Sequence, residues 1–94
     1  MTNEIEIEIL ITNYSKFNRT DKVVLKGLLR ATTLFSNTLP KVFPKTDIRS
    51  VVRSINKLSK LNIIAVSSCD MFPHVKELSI DMVSLMSCFN TIGY

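Results

Sequence analysis

Ninety-four residues with 46% hydrophobic content are enough for one small domain around a single core, and two Gly and three Pro exclude long flexible linkers. No apolar run approaches the ~20 residues of a membrane span, no basic-then-apolar leader opens the chain, and Cys69 and Cys88 lack a disulfide-framework spacing, so a cytoplasmic protein with reduced thiols is expected. The formal net charge of +4 hides an asymmetry: residues 1–12 carry Glu4, Glu6 and Glu8 and no base, whereas residues 13–60 carry eleven bases against Asp21 and Asp47. Such a concentration suits a polyanionic partner, because each neutralised phosphate releases counterions.

The opening EIEIEILI alternates Glu4, Glu6 and Glu8 with Ile5, Ile7, Ile9 and Ile11. That is the period of a half-buried strand, the reading favoured for residues 4–11. Leu10 breaks the alternation, and a helix through Ile7, Leu10, Ile11, Tyr14 and Phe17 also fits one stripe. In either form the segment is an additional core element or a dimerisation element. Asn18-Arg19-Thr20-Asp21 supplies cap candidates for a helix over residues 21–36, with Val24, Leu25, Leu28, Leu29, Thr32 and Phe35 on its buried side. Lys22, Lys26 and Arg30 form a ridge opposite, read as a solvated face or a contact to a DNA backbone. Gly27, in mid-helix, costs about 1 kcal/mol relative to Ala.

Ser36-Asn37-Thr38 is expected to end that helix and cap a short one through Leu39, Val42 and Phe43, with Pro40 in its first turn and Pro44 closing it. Residues 46–64 follow. Ile48, Val51, Val52, Ile55, Leu58 and Leu61 recur on one helix face, with Thr46 expected as N-cap and Asp47 in the first turn. The other face carries Arg49, Ser50, Arg53, Asn56, Lys57 and Lys60, and Arg49, Arg53 and Lys57 stack into a cationic ridge with no acid expected beside it. Asn62 is placed at a left-handed helix exit. Strands over residues 63–67 and Val75–Ile80 then form a hairpin, and Asp81 caps a last helix over Met82–Phe89, with Val83, Met86 and Phe89 in a stripe.

The series Ser50, Val51, Ile55, Leu58, Asn62, Ile63 and Ile64 resembles the recognition helix and first wing strand of winged helix-turn-helix DNA-binding domains, with Asn62 where that family usually has Gly. The resemblance implies an α+β winged-helix domain: a three-helix core with a β-hairpin wing, one N-terminal strand or helix and a C-terminal helix. The run from Glu77 to Phe89, with Leu78-Ser79, Val83 and Cys88-Phe89, is similar to the last strand and helix of TubR-type adaptors of plasmid and phage partition. That similarity implies a homodimer on repeated sites in double-stranded DNA, autorepression, and recruitment of a tubulin-like GTPase. A stand-alone repressor and a protein-interaction module are the competing readings.

Arg49 and Arg53 are expected at base edges, because a guanidinium binds guanine O6 and N7 together. Lys41, Lys45, Lys57 and Lys60 are expected at phosphates, with Thr46 and Ser50 as shorter contacts. In the wing only His74 and Lys76 could meet a phosphate, so it should add little affinity. An anionic membrane is the competing partner, but it requires exposed Trp, Phe or Leu beside the bases, and the apolar residues here have a core to fill. No phosphate-binding, dinucleotide, zinc-protease or C-x-x-C motif occurs, and a catalytic triad would have to use the single His74. No enzyme activity and no cofactor are therefore expected. Cys69, His74 and Cys88 are read as free thiols and a surface imidazole rather than as metal ligands.

Overall fold

The computed structural model describes residues 4–91, an α+β arrangement of five α-helices and one three-stranded antiparallel sheet. The elements are α1 (Glu4–Asn13), α2 (Arg19–Ala31), β1 (Thr33–Phe35), a 3-10 turn (Ser36–Thr38), α3 (Leu39–Val42), α4 (Ile48–Lys60), β2 (Ile64–Ser68), β3 (Lys76–Ile80) and α5 (Met82–Thr91).

The strand expected over residues 4–11 is instead helix α1. Coiling places Ile7, Ile11, Tyr14 and Phe17 together in the core, which strand alternation cannot do, and leaves Ile5 and Ile9 outside. The ring of Tyr14 packs against Phe17 and Phe89 at centroid distances of 4.4 and 5.4 Å, which joins the exit of α1 to α5. Asn18 caps α2 reciprocally: its side chain accepts from the Asp21 N–H at 2.8 Å, and its own N–H donates to Asp21 Oδ2 at 3.1 Å.

The second helix does not run to residue 36. It stops at Ala31, where Thr32 takes φ 69°, and the chain turns into β1, a strand not expected from the periodicity. Thr32 and Phe35, expected in the core, are exposed. The Ser36-Asn37-Thr38 segment is a 3-10 turn whose Thr38 hydroxyl donates to the Phe35 carbonyl rather than capping α3. Gly27 permits the closest packing in this region: a Cβ there would stand 2.6 Å from Phe43 Cε1, so the absent side chain lets the Phe43 ring lie on α2.

The N-cap of α4 is Asp47, not Thr46, and the helix starts at Ile48. Asp47 spends its carboxylate on the Ser50 hydroxyl at 3.4 Å rather than on a backbone N–H. At the other end Asn62 has φ 63° as anticipated. The Asn62 N–H donates to Ser59 and the Ile63 N–H to Leu58, the paired bonds of a Schellman exit. The expected apolar stripe is wider than the buried one: Val51, Ile55 and Leu58 are buried, whereas Ile48, Val52 and Leu61 are exposed.

β3 is the central strand, in the order β1-β3-β2, with Leu34 opposite Leu78 on one side and Ile64 opposite Ile80 on the other. Helix α2 packs on β3 and on α4, α4 packs on β2, and α1 packs on α2. Asp81 caps α5 by accepting the Ser84 N–H at 3.1 Å. Leu85 and Phe89 fill the core from α5, while Val83, expected in the stripe, points outward.

Candidate nucleic-acid interface

Helix α4 turns its polar residues outward because Val51, Ile55 and Leu58 fix its rotation against the core. Arg49, Arg53, Asn56, Lys57 and Lys60 are exposed along the outer face, and Ser50 is half-buried. The segment before it adds Lys41, at the end of α3, and Lys45 as exposed cations, with Thr46 half-buried. Lys76, on β3, is also exposed, but its ammonium lies 3.4 Å from the Ser68 hydroxyl across the hairpin, and its N–H donates to Ser36 Oγ. The expected cations of α3, α4 and the turn between them are thus all exposed, and Lys76 is on the sheet.

One expectation about this face is corrected: the ridge does have an acid beside it. Lys57 Nζ lies 2.7 Å from Asp21 Oδ2, and Asp21 is fully buried at the first turn of α2. Burial alone would raise the Asp21 pKa, because it penalises the charged form. The Lys57 ammonium, the nearby Ser54 hydroxyl and the Asn18 N–H outweigh that penalty, and the carboxyl is held below its ordinary 3.8. Oδ1 of the same carboxylate is buried without a hydrogen bond of normal length among the described residues. Ser54, buried on α4, faces this acid; the sequence pattern marks Asp21 only as a cap candidate and gives Ser54 no role. The available signal was an N-cap spacing, Asn18 to Asp21, that put one of only two acids among eleven bases.

A polar cavity of about 190 Å³ lies between the start of α2 and the middle of α4, lined by Asn18, Thr20, Ser50, Arg53, Ser54 and Lys57 among others. Its position makes the first turn of α2 a neighbour of the cationic face. The Lys22–Lys26–Arg30 ridge points elsewhere in charge terms: Arg30 Nε is paired with Glu8 Oε1 of α1 at 3.1 Å.

The tip of the β2–β3 hairpin is ordered by its own backbone, with Cys69 N–H to Val75 O, Phe72 N–H to Cys69 O and Val75 N–H to Phe72 O. It presents Met71 and Phe72, both strongly exposed, along with His74. Cys69 lies under this tip and Cys88 is on α5, with its sulfur 3.2 Å from the Tyr14 hydroxyl; both are free thiols. Among the described residues no three His, Cys, Asp or Glu side chains converge as metal ligands, and no helix is long and apolar enough to cross a membrane.

No family model, curated protein or solved structure matches the chain.

Proposed function

We propose that this chain is a winged helix-turn-helix protein that binds double-stranded DNA as a homodimer, with the N-terminal half of α4 in a major groove. The observation that carries the reading is the exposed cationic face of α4: Arg49, Arg53 and Lys60 make no ion pair among the described residues, and the one acid drawn to this ridge is buried and already matched. The order α2, β1, α3, α4, β2, β3 with β3 in the middle of the sheet is compatible with a winged helix and supports the same reading. Arg49 and Arg53 read base edges, Lys41, Lys45 and Lys60 hold phosphates, and Thr46 and Ser50 make shorter contacts. Lys57 has a smaller share than its position in the ridge implies, because its charge is already matched by Asp21. Lys76 contributes from the wing.

The finer proposal is a centromere-binding adaptor and autorepressor of a partition system, whose protein partner is a tubulin-like GTPase. A mobility-shift titration at two salt concentrations, using DNA upstream of the gene and scrambled competitor, tests both levels. Stepwise, cooperative shifts over repeated sites support the adaptor, and one shifted species supports a stand-alone dimeric repressor. No sequence preference at either salt refutes specific DNA binding and favours a protein-interaction module, a role to which the apolar wing tip would be suited.

A further inference from the structure

Helix α1 is apolar on more than one side. Ile7 and Ile11 are spent in the core, yet Ile5 and Ile9, one turn apart, remain 68% and 54% exposed. A helix with apolar residues on all sides normally has something packed on each of them. The same helix is acidic in sequence and carries no base.

A complementary surface lies on α2 and α3. A groove of about 550 Å³ runs between them, lined by Val23, Lys26, Gly27, Arg30, Val42 and Phe43 among others. Its apolar part is Phe43, whose ring approaches α2 at Gly27, and the exposed Val42 beside it. Its rim is basic through Lys26 and Arg30, and Arg30 Nε already donates to a carboxylate of α1, that of Glu8 in its own chain. An apolar groove with a cationic rim is matched in sign and character by an apolar ridge on an acidic helix, and among the described helices α1 answers that description.

We infer that the Ile5–Ile9 ridge of α1 docks into the Val42–Phe43 groove of a second copy, reciprocally, so that two contacts close a two-fold dimer. This deepens the homodimeric part of the reading above and gives the Lys26–Arg30 ridge a protein partner instead of a DNA backbone. The contact forms without DNA, so its failure is separable from failure of DNA binding.

The test is sedimentation equilibrium of the full chain without DNA, for the wild type, Ile9→Asp, Ile5→Asp and Val42→Asp. All three positions are exposed, and circular dichroism verifies that each variant folds. The expected result is a wild-type dimer that does not grow further, with dissociation constants raised at least about tenfold in each variant. A mixture of Ile9→Asp with Val42→Asp should associate more tightly than either variant alone, because one of the two contacts is then intact. A monomeric wild type, growth beyond a dimer, a Val42→Asp variant that dimerises normally, or no gain on mixing would each overturn the inference.

Discussion

Replacing Lys57 by Met removes the charge that answers a buried carboxylate and keeps most of the aliphatic stem. Breaking a buried ion pair from one side typically costs about 3–5 kcal/mol. Here the Lys57 side chain is 45% exposed while Asp21 is at 0%, so solvent already screens half of the pair and the expected loss at pH 7 falls to about 2 kcal/mol. The pH dependence identifies the cause. Despite its burial, the wild-type Asp21 carboxyl is held below 3.8 by Lys57, Ser54 and Asn18, so its stabilisation is present above the unfolded value near 3.8 and disappears as pH falls through the lower folded value. Without Lys57 the burial penalty prevails and the carboxyl protonates more readily. The difference between wild type and Lys57→Met, read from urea denaturation, should therefore be largest at neutral pH and shrink at the acid end of the titration. Asp21→Asn, which keeps an acceptor for the Asn18 cap, should remove most of the Lys57→Met effect in a double-mutant cycle. A loss that is the same at pH 7 and pH 3, or a cycle with no coupling, would refute the account of Asp21 as a charged partner.

In DNA binding, Arg49→Ala should cost ~1–3 kcal/mol and relax sequence preference, whereas Lys60→Ala should weaken all sequences alike and flatten the salt dependence by about one phosphate contact, both measured by titration over a salt series. Lys57→Met should flatten that slope less than Lys60→Ala does, since its charge is partly cancelled; an equal change would mean that DNA displaces Asp21. Gly27→Ala gains about 1 kcal/mol of helix propensity but pushes a Cβ into the buried Phe43 ring, so overpacking should leave a net loss of about 1 kcal/mol in thermal denaturation. Asn62→Gly should be neutral or slightly stabilising at φ 63°, and Asn62→Val should cost about 1–2 kcal/mol in the same assay.

The parts of the fold legible in the sequence are those where chemistry and periodicity agree. The position of α4 follows from Val51, Ile55 and Leu58, its exit from Asn62, the hairpin from two apolar runs, and the start of α5 from Asp81. The errors occur where one pattern satisfies two structures. Alternating Ile and Glu match a strand, but only coiling brings Ile7 and Ile11 beside Tyr14 in the core. The α2 stripe continues in phase through Thr32 and Phe35, so periodicity could not show the break that makes β1, whose partner β3 lies far along the chain. The outward cations of α4 were visible from spacing alone. The acid that tempers them was not, because Asp21 reaches Lys57 across two helices and no local pattern reports that contact. The groove on α2 was likewise hidden until Phe43 was seen against Gly27.

The central place of β3 also dictates the order of assembly. Both of its neighbours precede it in the chain, so during synthesis β1 has no strand to pair with until residues 76–80 have emerged. The β2–β3 hairpin closes over a short connection and is the quick local event, whereas joining Thr33 to Ser79 closes half of the chain into one loop. Until then Leu34 lacks Leu78, and the helices wait with one side of the sheet unbuilt. Nascent chains stalled before β3 should therefore be aggregation-prone, and their release should coincide with the emergence of that five-residue strand.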